Sequence, residues 1–153
     1  MTSVGPLRLS IVVQCGAAQA FFVFAEETTR WWPKTHSMSQ SPDLTVTFEP
    51  RPGGRIFERT PDGREFDWGT VAVWDPPRRL AYSWHIRADA RDATDVEITF
   101  TELPHGRTRV DIEHGGWERL GDRGPGRRDA NVKGWSGILP HFISASGQKE
   151  EVQ

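Results

Sequence analysis

Glu58, His114 and the tryptophans Trp68, Trp84, Trp117 and Trp135 are the side chains of this 153-residue chain best suited to chemistry in a cavity. A carboxylate or imidazole walled by apolar groups has a displaced pKa, and within hydrogen-bond reach of a bound molecule it can move a proton. A tryptophan offers a flat apolar face and one N–H donor, enough to hold a ring or to orient a carbonyl. Inward aromatics also serve as plain core, so each tryptophan has a packing role beside its ligand role. Glu58 shares its parity with Ile56 on a short strand whose faces the sequence does not separate. The expectation is an exposed carboxylate paired with an arginine across the ladder, and the alternative is a carboxylate facing the cavity. His114 shares parity with Val110 and Ile112 and is placed at the inner end of a strand, either as a structural histidine bonded to the turn that follows or as a ligand contact.

Other chemistries find little support. Gly134-Trp135-Ser136-Gly137 resembles half of an esterase elbow, but Ile138 stands where the second glycine is required and a helix is predicted there. The five histidines, at 36, 85, 105, 114 and 141, show no close ligand spacing, so no metal site is assigned. Gly121-Asp122-Arg123-Gly124 has the form of a nucleic-acid backbone clamp without its basic and aromatic company. Cys15 is the single cysteine, which excludes an internal disulfide and reads as a small buried apolar residue. No catalytic residue and no cofactor are assigned.

These side chains must be positioned by a sheet and one long helix. Phe66 to Ile86 forms two apolar-alternating runs around Asp75-Pro76-Pro77-Arg78, the pattern of a β-hairpin. On its first run Phe66, Trp68, Thr70, Ala72 and Trp74 share one parity, which predicts one inner face. Val71 and Val73 then fall on the outer face, where a homodimer interface would find an apolar patch. Further strands are predicted over 7–14, 44–49, 55–60, 94–102 and 108–114, with turns at Pro52-Gly53-Gly54, Pro61-Asp62-Gly63 and Pro104-His105-Gly106. Between the first two strands, Ala20, Phe21, Phe24, Ala25 and Thr28 follow helical spacing up to Trp32, and Thr28-Thr29 suggests a break into two short helices. Residues 115–128 read as a loop. Val132, Trp135, Leu139 and Phe142 form a helical stripe beginning near Asp129 as N-cap, with Pro140 inside it as an expected kink. Gly134 and Gly137 leave part of that helix bare, space that either a large core side chain or a bound molecule could fill. Residues 148–153 read as a polar tail.

The length suits one domain, expected over 1–147. A formal net charge of −2 gives no general attraction to nucleic acid or anionic membranes, and no apolar run is long enough to span a bilayer. The N-terminal residues lack a signal-peptide layout, so a cytoplasmic location is expected.

Several segments together resemble a known family. They are AFFVFAEETTRWWP (20–33), PRPGGRIFER (50–59), DGREFDWGTVAVWDPPRRLAYSW (62–84), His114-Gly115-Gly116-Trp117, and Gly134-Trp135. The chain is similar to the helix-grip domains of the START-like superfamily, also called SRPBCC, in the branch related to the activator of Hsp90 ATPase. The resemblance implies an α+β fold in which a seven-stranded antiparallel sheet curls around the C-terminal helix, with two short helices after the first strand. It also implies a cavity for small apolar or aromatic molecules. Three functions follow as expectations. The first is a binding module using Glu58, Trp68, Trp84, His114, Trp117 and Trp135. The second is a cyclase or dehydratase using Glu58 or His114 as acid or base. The third is an Hsp90 partner, suggested by the family name alone and opposed by the absence of a second domain.

Overall fold

The computed structural model describes residues 5–86 and 88–147; the polar tail assigned to 148–153 lies outside them. Seven strands form one antiparallel sheet: β1 (Leu7–Val13), β2 (Thr45–Phe48), β3 (Arg55–Arg59), β4 (Glu65–Asp75), β5 (Arg79–Trp84), β6 (Thr94–Leu103) and β7 (Arg107–Gly115). Their order is β1-β7-β6-β5-β4-β3-β2, so β2 to β7 make a meander and β1 returns to pair with β7. Helices α1 (Ala17–Glu26) and α2 (Thr28–Trp31) connect β1 to β2, and α3 (Gly124–Gly147) ends the described chain. This is the α+β helix-grip arrangement expected from the sequence.

The period-two pattern sets the sheet's faces where the ladder is regular. Val96, Ile98 and Phe100 of β6 and Val110, Ile112 and His114 of β7 are buried, while their neighbours reach toward solvent. Helix α1 lays Ala20, Phe21 and Phe24 on this face. Phe24 meets Phe142 of α3 edge-on at 5.2 Å, and Phe21 meets Phe100 at 5.2 Å. The first turn of α1 has no cap of its own; Glu102 on β6 supplies one, accepting the Ala17 N–H at 3.0 Å. Helix α2 ends because Trp32, preceding Pro33, is extended. Thr29 of α2 covers the free edge of β2, its hydroxyl accepting the Val46 N–H at 2.8 Å and donating to the Val46 carbonyl at 3.2 Å.

Two expectations are corrected. Strand β4 does not keep one parity. Its pairing with β3 steps from Ile56↔Gly69 to Phe57↔Asp67, and its pairing with β5 from Val71↔Tyr82 to Val73↔Ala81, leaving Trp68 and Ala72 as extra residues at two bulges. The inner face therefore carries Trp68 and Val71, whereas Thr70 and Ala72 are exposed. Val71 therefore does not contribute to an apolar outer patch, and Val73 is left half-exposed beside Ala72. Second, residues 115–128 are not a loop. A 3₁₀ segment, Trp117–Arg123, leads directly into α3, which starts at Gly124 and not at Asp129. Gly124 is required there because a Cβ would stand 2.4 Å from the Trp117 carbonyl oxygen. Pro125 follows in the first turn, where its missing N–H costs nothing. Helix α3 continues through Pro140 to Gly147.

Gly69 is the tightest point of the sheet: a Cβ would lie 1.9 Å from the Ser83 carbonyl oxygen. Replacing it must separate β4 from β5 beside Trp68 and Trp84. Gly69→Ala is expected to destabilise the fold by about 2 kcal/mol or more, read as a lower urea midpoint with an unchanged slope.

Candidate functional site

Trp84, at the end of β5, and Trp135, on α3, stand on opposite walls of a half-open cleft of about 450 Å³. Trp32, His36 and Ile86 complete the wall on the sheet side. Arg127, Ala130, Asn131, Lys133, Gly134 and Ile138 line it from α3. Positions 127, 130, 131, 134 and 138 repeat at three- and four-residue spacing and so form one helix face. The two helix glycines act differently. At Gly134 a Cβ would meet nothing within 4 Å, so its bare backbone opens on free space. At Gly137 the space is taken by His36, whose Nε2 lies 3.0 Å from the position a Cβ would occupy.

His114 stands behind the Trp135 wall. It is fully buried, with both ring nitrogens engaged. Trp135 Nε1 donates to His114 Nδ1 at 3.0 Å, which makes Nδ1 an acceptor and leaves the proton on Nε2. Nε2 then donates to the Thr94 hydroxyl at 2.7 Å, and that hydroxyl donates to the Trp84 carbonyl at 3.3 Å. Trp117 packs on the same imidazole at 4.5 Å between ring centres and donates its N–H to the His114 carbonyl at 3.0 Å. Burial pushes the His114 pKa down to about 3, so the ring is neutral at physiological pH. Its polar atoms are spent on holding the two cleft tryptophans.

Glu58 corrects the expectation of an exposed, arginine-paired carboxylate: it points inward and is fully buried. Oε1 accepts the Met38 N–H at 2.6 Å and the Trp68 indole N–H at 2.9 Å, while Oε2 accepts the Ser39 N–H at 2.8 Å. Burial alone would raise its pKa, but these bonds and the Ser39 side chain outweigh it and hold Glu58 below the usual carboxylate value. It is an ionised clamp for the loop that follows His36. Trp68, so fixed, packs against Trp32 at 5.0 Å and Trp84 at 5.6 Å, both of which line the cleft. Of the residues singled out from the sequence, Trp84 and Trp135 border the cleft; Glu58, Trp68, His114 and Trp117 form the layer supporting it.

The sequence reading passed over Trp32, His36, Arg127, Asn131 and Lys133. His36 belongs to a short 3₁₀ turn, Lys34–His36, and Arg127 lies in the stretch 115–128 that the sequence pattern assigns to a loop. The signal available was Gly124-Pro125, a proline at a helical first turn, which starts α3 early enough to put Arg127 on the Gly134 face. Ser136 is exposed and does not line the cleft. Cys15 is half-buried, and burial, helped by nearby Glu102, raises its pKa. Among the described residues no group of three or more His, Cys, Asp or Glu side chains could hold a metal ion, and no helix is long and apolar enough to cross a membrane.

Comparison with known proteins agrees with this fold. The family described as activator of Hsp90 ATPase homolog 1-like protein matches residues 20–145. Among solved structures, the anthrahydroquino-γ-pyrone synthase Txn09, complexed with SUM, is 32% identical, with a TM-score of 0.64 over 92% of this chain and 96% of that one. CalC, a self-sacrificing resistance protein from Micromonospora echinospora, is 26% identical, with a TM-score of 0.71 over 97% of this chain and 98% of its own. Protein CV1439 from Chromobacterium violaceum, 17% identical, shares the fold with a TM-score of 0.68 over 95% of this chain and all of its own. No curated protein matches by sequence.

The His114 imidazole makes a pH prediction. Its folded pKa of about 3 lies below the ordinary 6.5, so the unfolded chain takes up the proton first as pH falls. The contribution of the neutral ring is complete above pH 6.5 and declines by up to about 1.4 kcal/mol per pH unit down to the folded value. Thermal unfolding of the wild type should therefore lose Tm between neutral and mildly acidic pH more steeply than that of His114→Gln. Equal slopes would contradict a neutral buried ring.

Proposed function

This chain belongs to the activator of Hsp90 ATPase homolog 1-like family, and from that membership and the cleft we propose that it binds a flat aromatic small molecule between Trp84 and Trp135. The observation that carries the reading is Gly134: a helix gives up about 1 kcal/mol of propensity at a position where a side chain would meet open space and not a neighbour. A core-packing explanation fits Gly137, filled by His36, but not Gly134. The cleft volume falls in the usual range for small-molecule sites, and its aromatic walls with few polar groups match their composition. The similarity to a synthase named for a fused-ring product favours a polycyclic aromatic ligand.

That similarity also favours turnover as a second reading. In that case the proton-moving group would be His36 or Lys133, which line the cleft, since the Glu58 carboxylate and the His114 ring are committed to partners behind it. Hsp90 remains a partner suggested by the family name alone.

Aloe-emodin, a neutral three-ring anthraquinone, is a direct probe. Calorimetric titration should show saturable one-site binding. Gly134→Leu, which fills the cleft and favours the helix, should abolish binding with Tm equal to or above that of the wild type. Binding that survives Gly134→Leu would place the ligand elsewhere, and absence of binding by aloe-emodin and by smaller naphthols alike would refute the reading.

A further inference from the structure

We infer that the ligand of this cleft carries an anionic group, seated by Arg127 and Lys133; the inference rests on the cleft being a ligand site. Among the described residues, basic side chains are mostly committed. Arg55 pairs with Glu65 and Asp67, Arg79 with Glu97, Arg119 with Asp95, and Arg123 with Asp92. Arg128 donates to the carbonyls of Gly5 and Pro6, and Lys34 to that of Thr29. Among the described residues the side chains of Arg127 and Lys133 make neither a hydrogen bond nor an ion pair, and both line the cleft. The Arg127 charge helps to hold the Asp92 carboxyl below its usual range, while both oxygens of that carboxylate are taken by the terminal nitrogens of Arg123.

Among the described residues that lining contains no carboxylate. A protein with a formal net charge of −2 thus presents a cleft whose titratable lining is His36, Arg127 and Lys133. Asn131 strengthens the asymmetry: its amide nitrogen donates to the Arg127 carbonyl at 2.9 Å, which fixes the side chain beside the arginine on the same helix face. Arg127 is half-buried and its planar donors suit a two-oxygen anion, while Lys133 is exposed and adds a point charge. Aromatic walls with two cations on the helix that lines the cleft suit an aromatic carboxylate better than a neutral hydrocarbon, which would make no use of the Arg127 and Lys133 donors.

Rhein and aloe-emodin share one dihydroxyanthraquinone skeleton and differ in a single substituent, an ionised carboxylate against a hydroxymethyl group. Calorimetric titration of both at low salt should show rhein binding about tenfold more tightly, the worth of a charge-assisted hydrogen bond in a partly buried site. The advantage should shrink as salt is raised. In the double variant Arg127→Gln/Lys133→Gln the affinity ratio should fall close to unity, and Lys133→Arg, which keeps the charge, should retain the preference. Equal affinities in the wild type, or a ratio unchanged by removing both charges, would overturn the anion inference while leaving the aromatic cleft standing. Binding of none of rhein, aloe-emodin and the smaller naphthols would overturn the cleft reading and this inference with it.

Discussion

The His114 ring is the constraint from which the arrangement of α3 on the sheet follows. An imidazole brought out of water must satisfy two nitrogens, and the partners it finds lie on different elements: Thr94 on β6 and Trp135 on α3. With the Trp117 ring against it and the Trp117 N–H on its carbonyl, His114 joins β7, β6, the 3₁₀ segment and the helix at one point. A helix packed by apolar contacts alone could rotate by a fraction of a turn at small cost. The directional bond from Trp135 removes that freedom, and with α3 so turned its Gly134 face lies on the cleft and Phe142 lies against Phe24.

Glu58 does for the opposite wall what His114 does for α3. Burying a carboxylate is costly unless its oxygens are met, and here three N–H donors meet them. Two of these belong to the backbone just after His36, so the charge ties a turn with little apolar content to the sheet. The third belongs to Trp68, which backs Trp32 and Trp84. Both buried ionisable groups are therefore supports, and the cleft in front of them is left with aromatic faces, one bare stretch of helix and side chains that retain unused donors.

The strands were legible because their runs are rich in alternating apolar residues and the tight turns β2–β3, β3–β4, β4–β5 and β6–β7 carry glycine or proline. Inner faces could be assigned in β6 and β7, whose ladder has no bulge, but not in β4, where bulges at Trp68 and Ala72 shift the phase twice. A bulge depends on how two strands meet, and Gly69, with no room for a Cβ against Ser83, was its only local sign. The inward turn of Glu58 could not be read because two of its donors are backbone N–H groups of a loop, which leave no mark on residue type. The cleft tryptophans Trp84 and Trp135 were visible as large aromatics at strand and helix positions. Arg127 was not, since the helix that carries it was started five residues too late, although Gly124-Pro125 announced it; Asn131, inside the predicted helix, lies off its apolar stripe.

The central claim is that the space between Trp84 and Trp135 receives an aromatic ligand while the tryptophans behind it do not. Assigned indole N–H signals in a ¹H–¹⁵N NMR titration with rhein test this residue by residue. The account predicts that Trp32, Trp84 and Trp135 shift progressively and saturate together, while Trp74, which packs on Phe21, and Trp117, buried beneath His114, stay in place. Uniform small shifts of all these signals, or a saturable shift confined to Trp74 or Trp117, would contradict it.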